Sequence, residues 1–303
     1  MSPESLAAFA FILLMLAIGK LTAWRGWLPD SASDALNWVV LNLCLPAAVL
    51  LHVPKLSLDA QVPAVAAVPW ILLGLSVLLV LAVSRLLRWS REVRAVLLIL
   101  VPLGNTSFLG FPLVRALLGS EALPYAVIYD QFGSFLMMTT VGLFLIAWYS
   151  GGERPTLREI GRRILMFPPF IALLVALFMP AQYPVVVSFA LERLADVLLP
   201  LVVLALGMNL QFRLSREFLV PLTFGLTAKL LLLPALALLF APWLGLSDLA
   251  LQASVLESGM PPMITAAALV AAARLAPELA TAMAGYGIVA ALGTLALWTW
   301  VVV

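Results

Sequence analysis

The chain has 303 residues, of which 64% are hydrophobic and 11% charged, and its mean hydropathy is +1.13. A soluble domain carries about a quarter charged residues, so this composition excludes an ordinary soluble fold and indicates a polytopic membrane protein. The single cysteine, Cys44, excludes an intramolecular disulfide and a cysteine-rich metal site. The net charge is only +2, and we expect the lipid bilayer as partner and no nucleic acid.

A transmembrane helix needs about 20 mainly apolar residues, and this length predicts ten spans. They cover residues 5–24, 33–52, 64–86, 94–118, 122–149, 164–180, 187–209, 217–241, 247–271 and 277–301. The polar loop at 150–163 divides the chain into a first five-helix repeat, 1–149, and a second, 164–303. We expect the first span to stay as a membrane helix, because Lys20 follows its apolar stretch rather than preceding it.

Orientation is predicted from lysine and arginine in the loops, because positive charge resists translocation. One set of alternating loops and helix ends holds thirteen of them: Lys20, Arg25, Arg85, Arg88, Arg91, Arg94, Arg154, Arg158, Arg162, Arg163, Arg213, Arg216 and Arg274. The opposite set holds three, Lys55, Arg115 and Arg193. This count predicts that both termini lie outside and that the 150–163 loop is cytoplasmic. With five spans in each half, the second half is inverted relative to the first.

Two predicted spans are interrupted by polar and helix-breaking residues, span four at 104–112 and span nine at 257–262. Lipid offers no water to an unpaired backbone group, so a broken helix is tolerated only where it faces protein or a water-filled cavity. The proline pattern repeats: Pro46 and Pro200 are 154 residues apart, and Pro112 and Pro262 are 150 apart. Paired breaks in an inverted repeat are typical of a secondary transporter's binding site near the bilayer midplane.

Three ionisable side chains lie deep in the predicted spans, namely Asp130, Lys229 and Glu257. Each costs at least about 2.5 kcal/mol at the bilayer centre, so each needs a reason to be there. One interpretation is structural: Lys229 pairs with an acid and holds the bundle together. The other is functional: the acids bind a coupling cation or proton, while Lys229 and the half-helix N-termini hold an anion.

Oxygen-bearing side chains favour the functional interpretation. Ser134 follows Asp130 by four residues and shares its helical face. Hard cations such as Na⁺ take several oxygen ligands, carbonyls included, and a buried carboxyl serves proton coupling equally, so both remain open. The predicted cation or proton site is Asn105, Thr106, Asp130, Gln131, Ser134 and Glu257, all but Gln131 being candidate Na⁺ ligands. The predicted substrate-binding residues are Asn42, Pro46, Gly104, Asn105, Gly110, Pro112, Lys229, Ser258, Pro261 and Pro262.

Other polar and aromatic residues are predicted to be peripheral. Lys20 and Arg115 lie near helix ends and are expected to reach the membrane surface, and Asp196 is left out of the site. His52 lies at an outer helix end, where it is a poor metal ligand. Five tryptophans near predicted helix ends indicate an interfacial belt: Trp24, Trp27, Trp148, Trp243 and Trp298.

Five motifs carry a family resemblance: 43–46, 104–112, 129–131, 229–234 and 257–262. They resemble those of the auxin efflux carrier family, and the compact length and short central loop look like its bacterial branch. The resemblance covers essentially the whole chain. It implies an all-α membrane fold of ten helices in two inverted repeats, with broken crossing helices in spans four and nine. It also implies a scaffold domain, through which a homodimer forms, and a transport domain that moves like an elevator.

The same fold class includes the bile acid–sodium symporters, in which a glutamate near the second crossover and an asparagine near the first help to bind Na⁺. Glu257 and Asn105 are similar in placement. Plant auxin carriers generally lack such an acid and run without a coupling ion. Bacterial relatives are mostly assigned carboxylates such as malonate or malate, so the resemblance implies a small organic anion as substrate.

These observations together predict a secondary transporter of a small organic anion, malonate, malate or an auxin-like acid, coupled to Na⁺ or H⁺. The alternatives are an uncoupled carrier, or a sensor or channel on the same scaffold. A channel needs a continuous polar stripe, whereas the polar groups here cluster at the midplane. An enzyme is not expected, because a serine–histidine pair would need His52, and no cofactor is expected beyond the coupling ion. We expect a multi-pass protein of the bacterial inner membrane.

Overall fold

The computed structural model describes residues 3–29, 31–55, 61–152, 155–180, 182–210, 212 and 214–303, and within them every regular element is helical. The α-helices are α1 Pro3–Arg25, α2 Ala32–Val39, α3 Leu45–His52, α4 Gln61–Leu86, α5 Arg91–Leu100, α6 Phe111–Leu118, α7 Leu123–Tyr129, α8 Phe135–Met137, α9 Leu143–Ser150, α10 Leu157–Leu165, α11 Pro168–Ala176, α12 Val185–Asp196, α13 Leu198–Asn209, α14 Leu219–Thr227, α15 Leu233–Phe240, α16 Asp248–Ser258, α17 Ile264–Ala272 and α18 Pro277–Val302. Wider π-helical turns lie at Val40–Cys44, Thr106–Gly110, Asp130–Ser134, Met138–Gly142 and Ala228–Leu232. Arg154 and Arg213, which contribute to the predicted orientation, lie outside the described residues.

Within the part of the chain that the structure describes, five continuous helices are long and apolar enough to cross a membrane: Ala32–Lys55, Gln61–Leu86, Leu123–Ser150, Arg216–Leu244 and Pro277–Val302. Three other predicted spans are divided into shorter helices, because prolines or polar breaks interrupt them: α5 with α6, α12 with α13 and α16 with α17. The predicted sixth span holds the short helix α11, and α10 lies mostly in the predicted loop before it. The prediction of an all-helical membrane protein is confirmed. The number of ten crossings and the inverted repeat stay predictions.

The helices pack in two groups, each drawn from both halves of the chain. In the first group, α1 and α2 pack against α13, and α3 packs against α11 and α12. In the second, α16 packs against α4, α7 and α18, while α17 and α14 also pack against α18. The two groups meet where α6 contacts α1 and α13.

The contact between α1 and α13 is backbone against backbone. A Cβ atom on Gly19 would meet the Leu204 carbonyl oxygen, and one on Gly207 would meet the Leu16 carbonyl oxygen. Lys20 reinforces this contact, since its Nζ donates to the Leu210 carbonyl oxygen at 2.6 Å. The prediction that Lys20 reaches the membrane surface stays a prediction, since the residue is exposed and also bonds this carbonyl.

Tryptophan N–H groups bond carbonyls that the helices leave free. Pro234 has no N–H, so it cannot bond the carbonyl of Leu230 four residues earlier. Trp298 Nε1 donates to that carbonyl instead, at 2.8 Å, and Trp70 Nε1 donates to the Phe132 carbonyl at 2.8 Å. Trp298 is only 8% exposed, so its predicted place in an interfacial belt is wrong. Its indole stabilises the proline-containing helix Arg216–Leu244 inside the bundle.

Trp298→Phe is expected to lower the free energy of unfolding by about 1–3 kcal/mol, because the Leu230 carbonyl is left buried without a donor. Thermal unfolding in detergent measures this loss. Trp243→Phe is the control, since that side chain is 88% exposed. In a Pro234→Ala background, residue 234 regains an N–H and the effect of Trp298→Phe should shrink. An equal loss in both backgrounds would contradict this account of the bond.

Candidate functional site

The two predicted breaks are present, and they meet as a short antiparallel bridge, which we call the crossing. The Asn105 N–H donates to the Pro261 carbonyl oxygen at 2.8 Å, and the Met263 N–H donates to the Leu103 carbonyl oxygen at 3.0 Å. Each interrupted helix thus supplies backbone partners to the other, which is what an apolar interior requires. The crossing therefore holds irregular backbone inside the bundle without leaving those groups unbonded.

Four helix ends converge at the crossing. Helices α5 and α16 end there, and the turn Thr106–Gly110 and helix α17 begin there. Helix N-termini carry a partial positive charge and free N–H groups, and C-termini carry a partial negative charge and free carbonyls. The crossing can therefore hold an anion on one side and a cation on the other.

Glu257 is the least satisfied polar group of the crossing. Its side chain is fully buried, and neither carboxyl oxygen has a hydrogen-bond donor. The carboxyl lies against Gly110 of the first break, where a Cβ atom would be 2.5 Å from Oε1. A buried carboxylate without donors is strongly disfavoured, so this position calls for a proton, a cation or a ligand.

Asp130 has a different environment, although it is also fully buried. Thr106 Oγ1 donates to one carboxyl oxygen at 2.5 Å, and Gln131 Nε2 donates to the other at 2.6 Å. Ser134 is buried in the same π-helical turn. Asp130 thus fixes the first break to the helix that contains α7, a positioning role that its sequence alone does not reveal.

Lys229 joins the two breaks through the backbone. Its Nζ donates to the Ser258 carbonyl oxygen at 2.8 Å and would lie 3.0 Å from a Cβ atom on Gly104. Among the described residues, the ion pairs within 4.0 Å are Arg115–Asp196 and Arg193–Asp196. The structural interpretation, in which Lys229 pairs with an acid, is therefore not the geometry observed.

The predicted Na⁺ ligands carry oxygen atoms, as a hard cation requires, but only some of these oxygens are free to bind one. Unbonded oxygens remain on Glu257 and on Gln131 Oε1. Two other predicted Na⁺ ligands, Asp130 and Thr106, bond each other. At Asn105 the unbonded atom is the amide nitrogen Nδ2, which repels a cation and suits an acceptor. Glu257 is accordingly the residue best placed to hold Na⁺ or a proton.

A cavity of about 350 Å³ reaches the crossing at Asn105 and Phe108; we call it the asparagine cavity. It is lined by Asp34, Asn37, Trp38, Leu41, Asn105, Phe108, Leu206, Asn209, Ile264 and Thr265. A neighbouring space of about 340 Å³ shares Asp34, Asn37 and Asn209 and extends to Thr281 on α18. Each volume falls within the range of small-ligand sites.

A second cavity, of about 240 Å³, lies on the other side of Pro112 and is called the arginine cavity; its lining includes Phe111, Arg115, Ala195 and Asp196. Arg115 Nη2 bonds Asp196 Oδ1 at 2.7 Å, which ties α6 to α12. The expectation that Arg115 reaches the membrane surface stays a prediction, and the structure adds a partly exposed partner, Asp196, on another helix.

The structure brings most of the predicted site residues together at the crossing, where Asn105 lines the asparagine cavity and Pro112 lines the arginine cavity. Two predicted residues, Asn42 and Pro46, are neither part of the crossing nor among the lining residues of the two cavities. Asn42 donates to the Trp38 carbonyl of its own helix at 2.8 Å, and Pro46 begins α3; their role in binding stays a prediction. His52 is buried rather than at the surface, with Nε2 unbonded. The sequence analysis missed the cavity residues Asp34, Asn37 and Thr265, since polar residues near helix ends look like ordinary interfacial ones.

An apolar helical bundle with two broken helices crossing beside a cavity defines a membrane transport protein. A family model described as "Membrane transport protein" matches residues 5–299. The chain belongs to this family, the auxin efflux carrier family that its motifs indicate.

Two relatives come from archaea. An uncharacterized transporter of Methanothermobacter thermautotrophicus is 28% identical over 299 residues, 95% of each chain. An uncharacterized transporter of Methanocaldococcus jannaschii is 23% identical over 263 residues, 82% of this chain and 83% of the relative. Similarity along nearly the full length accords with one shared transporter fold.

Gly110→Ala is expected to disrupt the crossing, because the added Cβ collides with the Glu257 carboxyl. Overpacking of a buried contact costs about 1–3 kcal/mol, and thermal unfolding of the purified protein measures it. Gly293→Ala is the matched control, since a Cβ there meets nothing within 4 Å. A Gly110→Ala protein as stable as the Gly293→Ala protein would contradict this packing.

Proposed function

We propose that the protein is a secondary transporter of a small organic anion, with a carboxylate as substrate and Na⁺ or a proton as coupling ion. The observation that carries the proposal is the Asn105 amide. Its Nδ2 is buried and unbonded, and the residue lines both the crossing and the asparagine cavity. A free N–H donor at that boundary suits a carboxylate oxygen.

Anion recognition in this proposal relies on dipoles rather than on a cationic side chain. Among the described residues that line the asparagine cavity, Asp34 is the charged one, and three are asparagines. Amide groups and the start of α17 beside Ile264 therefore supply the donors. Several weak hydrogen bonds in place of one ion pair suit a carrier, which must release its substrate as well as bind it.

Coupling in this proposal resides at Glu257. Its two unbonded oxygens gain a favourable partner when a proton or Na⁺ arrives, and the carboxyl touches Gly110 in the same break as Asn105. A neutralised Glu257 removes a negative charge close to the incoming carboxylate. Cation binding and anion binding then favour each other, which is the reciprocal linkage that coupled transport needs.

Alternating access follows from the two cavities under the predicted orientation. The asparagine cavity lies toward the predicted cytoplasmic ends of α2, α13 and α18, and the arginine cavity lies toward the outside. Under the same predicted orientation, the Arg115–Asp196 pair is on the outer side of the crossing. We propose that the group containing α4, α7 and α16–α18 moves past the group of α1–α3 and α11–α13, in the manner of an elevator, within a bacterial inner membrane with both termini outside.

Asn105→Ala is expected to weaken carboxylate binding about tenfold, which corresponds to about 1.4 kcal/mol, because one donor is lost. The measurement is a thermal-shift screen of purified protein against malonate, malate and indole acetate, since a ligand raises apparent stability by mass action. Gln252→Ala is the matched amide control, because Gln252 bonds the Val302 carbonyl away from the cavity. Unchanged affinity in Asn105→Ala would exclude this amide as a binding group.

Glu257→Gln is expected to abolish concentrative uptake while substrate exchange continues, because the amide neither binds a proton nor carries charge. Concentrative uptake is measured in proteoliposomes under an imposed Na⁺ or proton gradient. Substrate exchange is measured by counterflow without a gradient. Glu278→Gln is the control, since Glu278 accepts hydrogen bonds from Ser215 at the exposed start of α18. Normal accumulation by Glu257→Gln would remove the coupling proposal.

A further inference from the structure

Lys229 is buried outside both cavities. The side chain is 2% exposed and lines neither the asparagine cavity nor the arginine cavity. Its ammonium group contacts the Ser258 carbonyl of the second break and Gly104 of the first. The predicted role of Lys229 as a substrate-binding residue therefore has no support from its position, and the group needs another explanation.

The Ser258 carbonyl explains why a cation is needed there. In a continuing helix this oxygen would accept the N–H of residue 262, but Pro262 has none. Ser258 also ends α16, where free carbonyls give a helix its partial negative charge. Glu257 directly precedes Ser258 in the chain, so a carboxyl lies close to this carbonyl. A carbonyl oxygen at a helix C-terminus, with a carboxyl nearby, is an environment that attracts a cation.

Gly104 supplies the space for that cation. A Cβ atom at this position would lie 3.0 Å from Lys229 Nζ and 3.4 Å from Cε, which is tighter than ordinary van der Waals contact. The absence of a side chain at Gly104 therefore lets the ammonium group lie between the two breaks. The lysine reaches them from the π-helical turn Ala228–Leu232.

We propose that the Lys229 ammonium is a built-in cation of the crossing, which takes the place of a dissociable Na⁺ ion between the two broken helices. The protein then folds its crossing and carries its substrate without Na⁺. The transport part of this inference rests on the proposed function, and it leaves the proton as the coupling ion at Glu257. The structural part, cation-dependent assembly of the crossing, stands independently of any substrate.

The first test compares the wild-type protein in NaCl and in choline chloride of equal ionic strength. We expect equal thermal unfolding temperatures and carboxylate uptake that agrees within about twofold. An unfolding temperature or a carboxylate uptake that is higher in NaCl than in choline chloride would overturn the inference. The unfolding measurement needs no substrate, so it decides the role of Lys229 even where no carboxylate is transported, an outcome that would refute the proposed function alone.

The second test removes the ammonium group. Lys229→Ala is expected to lower the unfolding temperature and reduce uptake at least about tenfold, which corresponds to about 1.4 kcal/mol. Na⁺ or ammonium chloride, but not choline chloride, should restore stability by binding at the vacated place. Lys20→Ala is the matched control, since Lys20 Nζ also donates to a carbonyl, that of Leu210, but away from the crossing.

Two outcomes of the second test contradict the inference. One is a Lys229→Ala protein with wild-type stability and uptake, which would make the lysine dispensable. The other is a loss of stability that Na⁺ and ammonium leave unchanged while choline gives the same curve, which would reduce Lys229 to a packing residue. If Lys229→Ala fails to fold in every salt, the wild-type comparison of NaCl with choline chloride still decides whether the crossing uses Lys229 or a dissociable Na⁺ ion as its cation.

Discussion

The structure depends on one constraint: every backbone N–H and carbonyl inside an apolar bundle needs a partner. The chain breaks two helices in that interior and places prolines within others, and it satisfies the freed backbone groups by devices of three kinds. The backbones of the two breaks bond each other through Asn105 and Met263. An indole N–H, from Trp298, bonds the carbonyl that Pro234 leaves free. An ammonium group, from Lys229, bonds the carbonyl that Pro262 leaves free. Each device compensates for a proline or a turn. The first and the third join the two breaks at the crossing, and the second stabilises the helix that carries Lys229.

The constraint also separates the three buried ionisable residues by role. Lys229 and Asp130 are both engaged, one with a backbone carbonyl and the other with Thr106 and Gln131. Glu257 alone of the three has no bonded partner for its polar atoms. Groups that are satisfied stabilise a single arrangement, whereas a group that lacks a partner makes the energy of the arrangement depend on what is bound. The crossing is thus rigid on the side of Lys229 and responsive on the side of Glu257.

Much of this architecture could be predicted from the sequence, because its strongest signals are local. The breaks at 104–112 and 257–262 and the depth of Asp130, Lys229 and Glu257 follow from hydropathy and helix-breaking residues. The partners of these groups could not be predicted, since they depend on which helices pack together. Trp298 and Arg115 look like interfacial residues in the sequence, yet one bonds Leu230 and the other bonds Asp196. Lys229 looked like an ion-pair or ligand residue, because nothing local indicates that its partner is a carbonyl 29 residues away.

The close contact between α1 and α13 has a consequence for biosynthesis. The Lys20–Leu210 bond joins residues 190 positions apart, and Gly19 and Gly207 lie against backbone of the opposite helix. At translation rates of about 5–20 residues per second, the first helix waits roughly 10 to 40 s for this partner. During that interval its glycine surface faces lipid or a helper protein of the insertion machinery. The order of synthesis therefore leaves α1 without its α13 neighbour while the intervening chain is made.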